Sequence, residues 1–153
     1  MSGQVINPVS SKDIQTTSLR VLQDFSTAST SYVDATNMTL TLSGLNSGKI
    51  YNIFYIMQIE NPSSNSTTYY NDMVLNIDGN IQDGSALFYC HCAVKLVNYD
   101  AVGYMANQLL FATKENVTAT TTTTLKLQLA TSNALANARV RGYHTICIIA
   151  IED

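Results

Sequence analysis

The chain has 153 residues, 46% of them hydrophobic and only 12% charged, for a net charge of −3. Soluble domains carry about 25% charged residues, whereas here Ser, Thr and Asn supply 46 residues, so the polar surface is hydroxyl and amide rather than ionic. Eight scattered Lys and Arg against eleven acids exclude nucleic-acid binding by phosphate neutralisation. The apolar content excludes charged disorder, and the longest apolar run, Ile146 to Ile151, is far below the roughly 20 residues of a membrane span.

Met1 to Thr17 is polar and has no apolar stretch of secretory-signal type. It reads as an N-terminal arm (1–17) that docks on its own domain or on a neighbouring subunit, followed by a single domain over 18–153. Ser18 to Phe25 and a short piece at Ser31 to Asp34 are the first strands. Met38, Leu40 and Leu42 then alternate with Thr39, Thr41 and Ser43, which gives one apolar and one hydroxyl face. Gly44 and Asn46-Ser47-Gly48 supply a turn.

Lys49 to Glu60 is a long strand with Tyr51, Ile53, Tyr55, Met57 and Ile59 on one face and Ile50, Phe54 and Ile56 on the other, as in a central strand covered on both sides. A loop follows at Asn61 to Thr68, then strands at Thr67 to Ile77 and Ser85 to Val97, with an Asp78-Gly79 turn between them. Asn98 to Leu110 reads as a short helix or an irregular crossing. Thr120 to Ala130 points Leu125, Leu127 and Leu129 inward and Thr124, Lys126 and Gln128 outward, and Ala138 to Glu152 is the last strand. Many short strands with no helical period between them predict an all-β antiparallel sandwich or barrel.

Candidate chemistry is sparse. Cys90-His91-Cys92 and His144 to Cys147 are the soft ligands, but successive strand residues face opposite ways, so neither group converges on a metal. The expectation is core thiols with a surface or interface histidine, and no metal or cofactor. Asp78 to Gly84 resembles the start of a calcium loop but lacks the required Gly and Glu, since those positions hold Asp83 and Tyr89; two Asp-Gly pairs fit a strand turn instead. Three glycosylation sequons, at Asn37, Asn65 and Asn116, match the number that this composition produces by chance. The threonines of Thr120 to Thr124 read as an exposed β-branched strand. Carboxylates for glycoside hydrolysis would have to come from Asp72, Asp78, Asp83 or Asp100. With no nucleophile motif and no phosphate loop, the chain reads as a non-enzyme with no catalytic residue. The nine tyrosines suit an interface core, where the ring gives area and the hydroxyl finds a partner, and Tyr69 and Tyr70, beside a polar loop, are the candidate glycan contacts.

Ser29 to Asp34, Met38 to Leu42 and the long strand after the Gly turn, with Asn76-Ile77-Asp78-Gly79, Thr124 to Leu129 and Ile148 to Glu152, resemble the small jelly-roll domains of virion proteins. These occur in bacteriophage fibre tips, head decorations and archaeal-virus capsids and turrets. The resemblance covers about Ser29 to Asp153 and departs from the pattern at Tyr99 to Leu110. It implies a jelly-roll sandwich of about eight strands in a shell component of the virion. It also implies self-assembly into trimers or larger capsomers with other virion proteins, no catalytic residue, no sequence-specific nucleic-acid binding and no membrane span. A chain starting at Met1 favours a capsid or turret subunit over a fibre module. The alternative is a carbohydrate-binding sandwich or fibre-tip module for host attachment.

Overall fold

Period-two patterning becomes strand at Met38 to Leu42, Tyr51 to Ile59 and Leu125 to Leu129. The computed structural model describes residues 12–59, 63–64, 71–82, 94–96, 108–135, 137–140 and 144–153. Among them are twelve strands and no helix, and so no helix long and apolar enough to cross a membrane. In chain order the strands are β1 (Ile14–Val21), β2 (Phe25–Thr27), β3 (Val33–Ser43), β4 (Ile50–Ile59), β5 (Ser63–Ser64), β6 (Asn71–Ile77), β7 (Asn80–Gln82), β8 (Val94–Leu96), β9 (Gln108–Thr118), β10 (Thr122–Thr131), β11 (Ala138–Val140) and β12 (His144–Glu152).

Every strand pairing is antiparallel. One sheet has the order β1-β12-β4-β9; a second has β3-β10-β6-β7, with β8 also on β6; a small third sheet is β2-β11-β5. The pairs β1 with β12, β3 with β10, β4 with β9 and β6 with β8 are nested one inside the next along the chain. The core lies between the two larger sheets. Tyr51, Ile53, Tyr55, Met57, Leu110, Ile146 and Ile148 come from the first, and Met38, Leu40, Leu75, Leu125, Leu127 and Leu129 from the second. Burying a side chain of this size contributes about 1.5–3 kcal/mol.

Several boundaries differ from the sequence expectation. The first strand starts at Ile14, inside the segment expected to be arm, with Ile14 opposite Ile151. Its inward Gln15 and Thr17 are only half-buried, so an edge strand tolerates polar residues that mask the pattern. The base of the arm is tied down: Asp13 Oδ2 accepts from Tyr51 Oη at 3.0 Å, and the Asp13 carbonyl accepts from the Glu152 amide at 2.9 Å.

The two pieces expected around Ser31 and Met38 are one strand, β3, joined by a bulge. Between Asp34 (opposite Gln128) and Thr39 (opposite Lys126), four residues of β3 stand against Leu127 alone. Asn37 takes a left-handed φ of 67° there, which re-phases the strand so that Ala35 and Met38 are both buried.

The final stretch is two strands in different sheets, β11 and β12. Within 98–110, the residues 108–110 are strand rather than helix; 98–107, like Ser85 to Ala93, lie outside the described residues. Gln108 to Thr118, which no alternation marked, is the edge strand β9.

Candidate functional site

Asp78 accepts hydrogen bonds on its carboxylate from three residues on two strands, β9 and β10. It begins the two-residue hairpin loop between β6 and β7, where Ile77 pairs with Asn80. Asp78 and Gly79 have φ of 52° and 86°, the left-handed pair that a type I′ turn requires. Asn76 Oδ1 accepts from the Gly79 amide at 3.0 Å and closes the turn. The two Asp-Gly pairs of the sequence thus resolve, at Asp78-Gly79, into a strand turn.

The turn aims the Asp78 carboxylate across the end of the sandwich. Its Oδ1 accepts from the Thr124 amide at 2.7 Å, and its Oδ2 accepts from Thr123 Oγ1 at 2.9 Å, both on β10. Oδ2 also accepts from Lys114 Nζ at 2.9 Å, which reaches over from β9 in the opposite sheet. Tyr55 Oη, from β4, lies 2.7 Å from Thr123 Oγ1. The single Thr123 proton goes to Asp78, so Tyr55 is the donor in that pair. Lys114 Nζ stands 5.9 Å from the centre of the Tyr55 ring, within cation–π range. A donor relay of Tyr55, Thr123 and Asp78, balanced by Lys114, therefore links the two sheets.

Electrostatics follow from this arrangement. Burial acts to raise the Asp78 pKa, but the hydrogen bonds from Lys114, the Thr124 amide and Thr123 outweigh it and hold the carboxyl below its ordinary value. Burial pushes the Tyr55 phenol up, against the Thr123 hydrogen bond and with the Asp78 charge. Both groups are thus locked in one protonation state near neutrality.

The network walls a cleft of about 370 Å³ whose apolar lining includes Leu45, Ile53, Val117 and Ala119, with Thr118, Thr120 and Thr122 adding hydroxyls. That volume falls within the range of small-ligand pockets.

Of the residues singled out in the sequence, Tyr69, Tyr70, Asp83, Cys90, His91, Cys92, Asp100 and Asn65 lie outside the described residues. Asp72 and Asp78 are separated by the length of β6, about 20 Å at strand rise, far beyond the roughly 5–9.5 Å of a glycosidase pair. Among the described residues no group of three or more His, Cys, Asp or Glu could hold a metal ion.

His144 and Cys147 face opposite sides of β12, but in the reverse of the expected sense. His144 is fully buried on the core side, and Cys147 is half-buried on the outer face. Burial lowers the His144 pKa, with the Asp24 charge acting the other way, and burial raises that of Cys147. Asn37 and Asn116 both sit at left-handed bulge positions.

Sequence reasoning assigned no role to Lys114, Tyr55 or Thr123. One signal was present: Thr123 stands in phase with Leu125, Leu127 and Leu129, and a hydroxyl on the inward register needs a buried partner.

The fold and site define a sandwich-like all-β protein with a polar tie between its two larger sheets. No protein-family model matches the chain, and no curated protein matches it. Among solved structures, the chain is similar to dimeric latent PorU from Porphyromonas gingivalis, at 11% identity over 99% of this chain and 14% of that one, with a TM-score of 0.46. It is also similar to infectious bursal disease virus, Gx strain, at 12% identity over 99% and 40% of the two chains with a TM-score of 0.34. The Gt strain gives 12%, 99%, 40% and 0.30. The chain thus spans 14% to 40% of the length of these solved chains.

Proposed function

We propose that this chain is a virion structural protein, a single jelly-roll subunit of a capsid or turret that assembles with itself, as trimers or larger capsomers, and with other virion proteins. The observation that carries this is the nesting of β1 with β12, β3 with β10, β4 with β9 and β6 with β8. A long hairpin of four nested pairs, rolled so that successive strands alternate between the sheets except across β6 to β8, has the connectivity of a jelly roll. Jelly rolls build viral shells and lectin domains. The low-charge surface supports assembly, because copies meet without desolvating many ions. The proposal assigns no catalytic step, no cofactor and no nucleic-acid sequence readout.

Electron microscopy and light scattering of the purified chain test it. Defined particles or symmetric capsomers are expected; a monomer at high concentration overturns it. An arm truncation should remove only residues 1–11, because Asp13 and β1 belong to the sheet; it is expected to weaken assembly and leave the unfolding transition in place.

A second function, carbohydrate binding for host attachment, draws support from the cleft beside Asp78 and Lys114, which offers an apolar floor with hydroxyl and ionic rims. A glycan-array signal lost on Lys114→Met and kept in Tyr69→Ala and Tyr70→Ala would place the sugar there. Loss with the tyrosine variants alone would move it to Tyr69 and Tyr70, and no signal overturns this function.

A further inference from the structure

The outer faces of the two larger sheets differ in kind. On β3 and β10 the outer face is polar: Asp34 pairs with Lys126 Nζ at 2.7 Å and accepts from Gln128 Nε2 at 2.7 Å, beside Thr41 and Thr124. The outer face of β1-β12-β4-β9 has an apolar middle, Cys147, Ile56, Phe111, Ile149 and Phe54, bordered by hydroxyl and amide side chains. Register lays its side chains out in four rows: Arg20, Thr145, Gln58 and Leu109; Ser18, Cys147, Ile56 and Phe111; Thr16, Ile149, Phe54 and Thr113; Ile14, Ile151, Asn52 and the bulge at Glu115. Phe54 and Phe111 stack at 6.4 Å in the middle of it. Leu109, Ile14 and Ile50 on its margins are 63%, 61% and 45% exposed.

We infer that this face is an interface with a second copy of the chain, packed face to face about a two-fold axis. Three features select that occupant. The two central strands, β12 and β4, present no charged outward residue over these rows, and an uncharged face suits a copy of itself. The charges that do occur have opposite sign and stand at diagonal corners, Arg20 and Glu115. A two-fold axis along the other diagonal, from Leu109 to Ile14, carries Arg20 towards Glu115 of the partner subunit at both ends. The face also has adequate size, since four strands of about eight residues span roughly 500 Å² in projection, the order of the ~800 Å² per partner of a standard interface. Ile56 and Ile149 lie near that axis, so each meets its own copy. Strands of the two copies cross steeply, as in orthogonal sheet packing.

This interface deepens the assembly function proposed above by naming a surface for it. Sedimentation velocity across a micromolar concentration series tests it, with thermal unfolding of each variant to establish folding. Concentration-dependent dimers are expected of the native chain. Ile149→Lys places two ammonium groups together and is expected to weaken association by roughly tenfold or more, while Thr41→Lys on the opposite sheet leaves it unchanged. Arg20→Glu and Glu115→Lys should each weaken association, and the double variant should restore it. Equal loss from Thr41→Lys and Ile149→Lys, or no loss from Ile149→Lys and Ile56→Lys, overturns the interface. Particles that persist in Ile149→Lys sink this face and leave the shell function standing; face-dependent dimers that never form particles do the reverse.

Discussion

The Tyr55 hydroxyl, from one sheet, donates to the Thr123 hydroxyl of the other at 2.7 Å, and Thr123 in turn donates a hydrogen bond to Asp78 at 2.9 Å. Tyr55 is fully buried, so this is a polar tie through the core, and its parts depend on one another. Thr123→Val leaves the phenol without its acceptor and should cost about 1–3 kcal/mol, whereas Tyr55→Phe should cost about 1 kcal/mol. The double variant should cost less than the sum. Urea unfolding of the three proteins measures the coupling; strict additivity would show that the two hydroxyls act independently.

Asp78 gives stability a dependence on acid. Its folded pKa lies below the ordinary 3.8, so its contribution is complete above that value and is lost as pH falls through the lower folded one. Unfolding free energy should therefore decline below about pH 4, and Asp78→Asn, which keeps a left-handed-tolerant residue in the turn, should flatten that decline. At neutral pH the cost should be modest, about 1 kcal/mol, because the carboxylate is 37% exposed. An unchanged acid limb in Asp78→Asn would move the effect to other carboxylates such as Asp34, whose pKa is also lowered, by hydrogen bonds from Lys126 and Gln128.

His144 acts at a milder pH. Its folded pKa is below the ordinary 6.5 because burial disfavours the imidazolium. As pH falls below 6.5 the unfolded chain takes up a proton that the folded one resists, so stability drops until the folded value is passed. The unfolding midpoint should fall between pH 7.5 and 5, and the slope, rather than the absolute stability, should flatten in His144→Leu. A slope unaltered by that change would assign the sensitivity elsewhere.

Asn116 holds the bulge in β9 with φ of 52°, and its amide donates to Asn52 Oδ1 at 3.0 Å. Glycine adopts that conformation without strain and a β-branched residue does not. Asn116→Gly should be within about 0.5 kcal/mol of the native protein, and Asn116→Val should lose roughly 1–3 kcal/mol. Thermal unfolding of the pair checks it; equal midpoints would mean that the bulge relaxes freely.

Much of the strand content was readable because alternation is a local property. Met38 to Leu42, Tyr51 to Ile59 and Leu125 to Leu129 bury the predicted faces. Strand β9 escaped notice for a non-local reason: its inward Lys114 looks like a break in the pattern until Asp78, 36 residues away, is seen to neutralise it. The orientation of β12 was unreadable for a different reason. Ile146 to Ile151 is apolar at every position, and such a run carries no phase, so the burial of His144 and the outward turn of Cys147 were assigned the wrong way round. The site was half legible. Asp78 was recognisable as a turn residue, but its partners come from strands the turn does not adjoin.

The pairing of β1 with β12 has a consequence for synthesis. The first described strand finds its hydrogen-bonding partner only in the last described one, β12, and the next pair inward, β3 with β10, is also far apart along the chain. While the chain is emerging, the N-terminal strands have no mates, and such long-range closure is slow. Folding therefore waits until β12 has been made, and until then the open strand edges of β1 and β3 are exposed to neighbouring nascent chains.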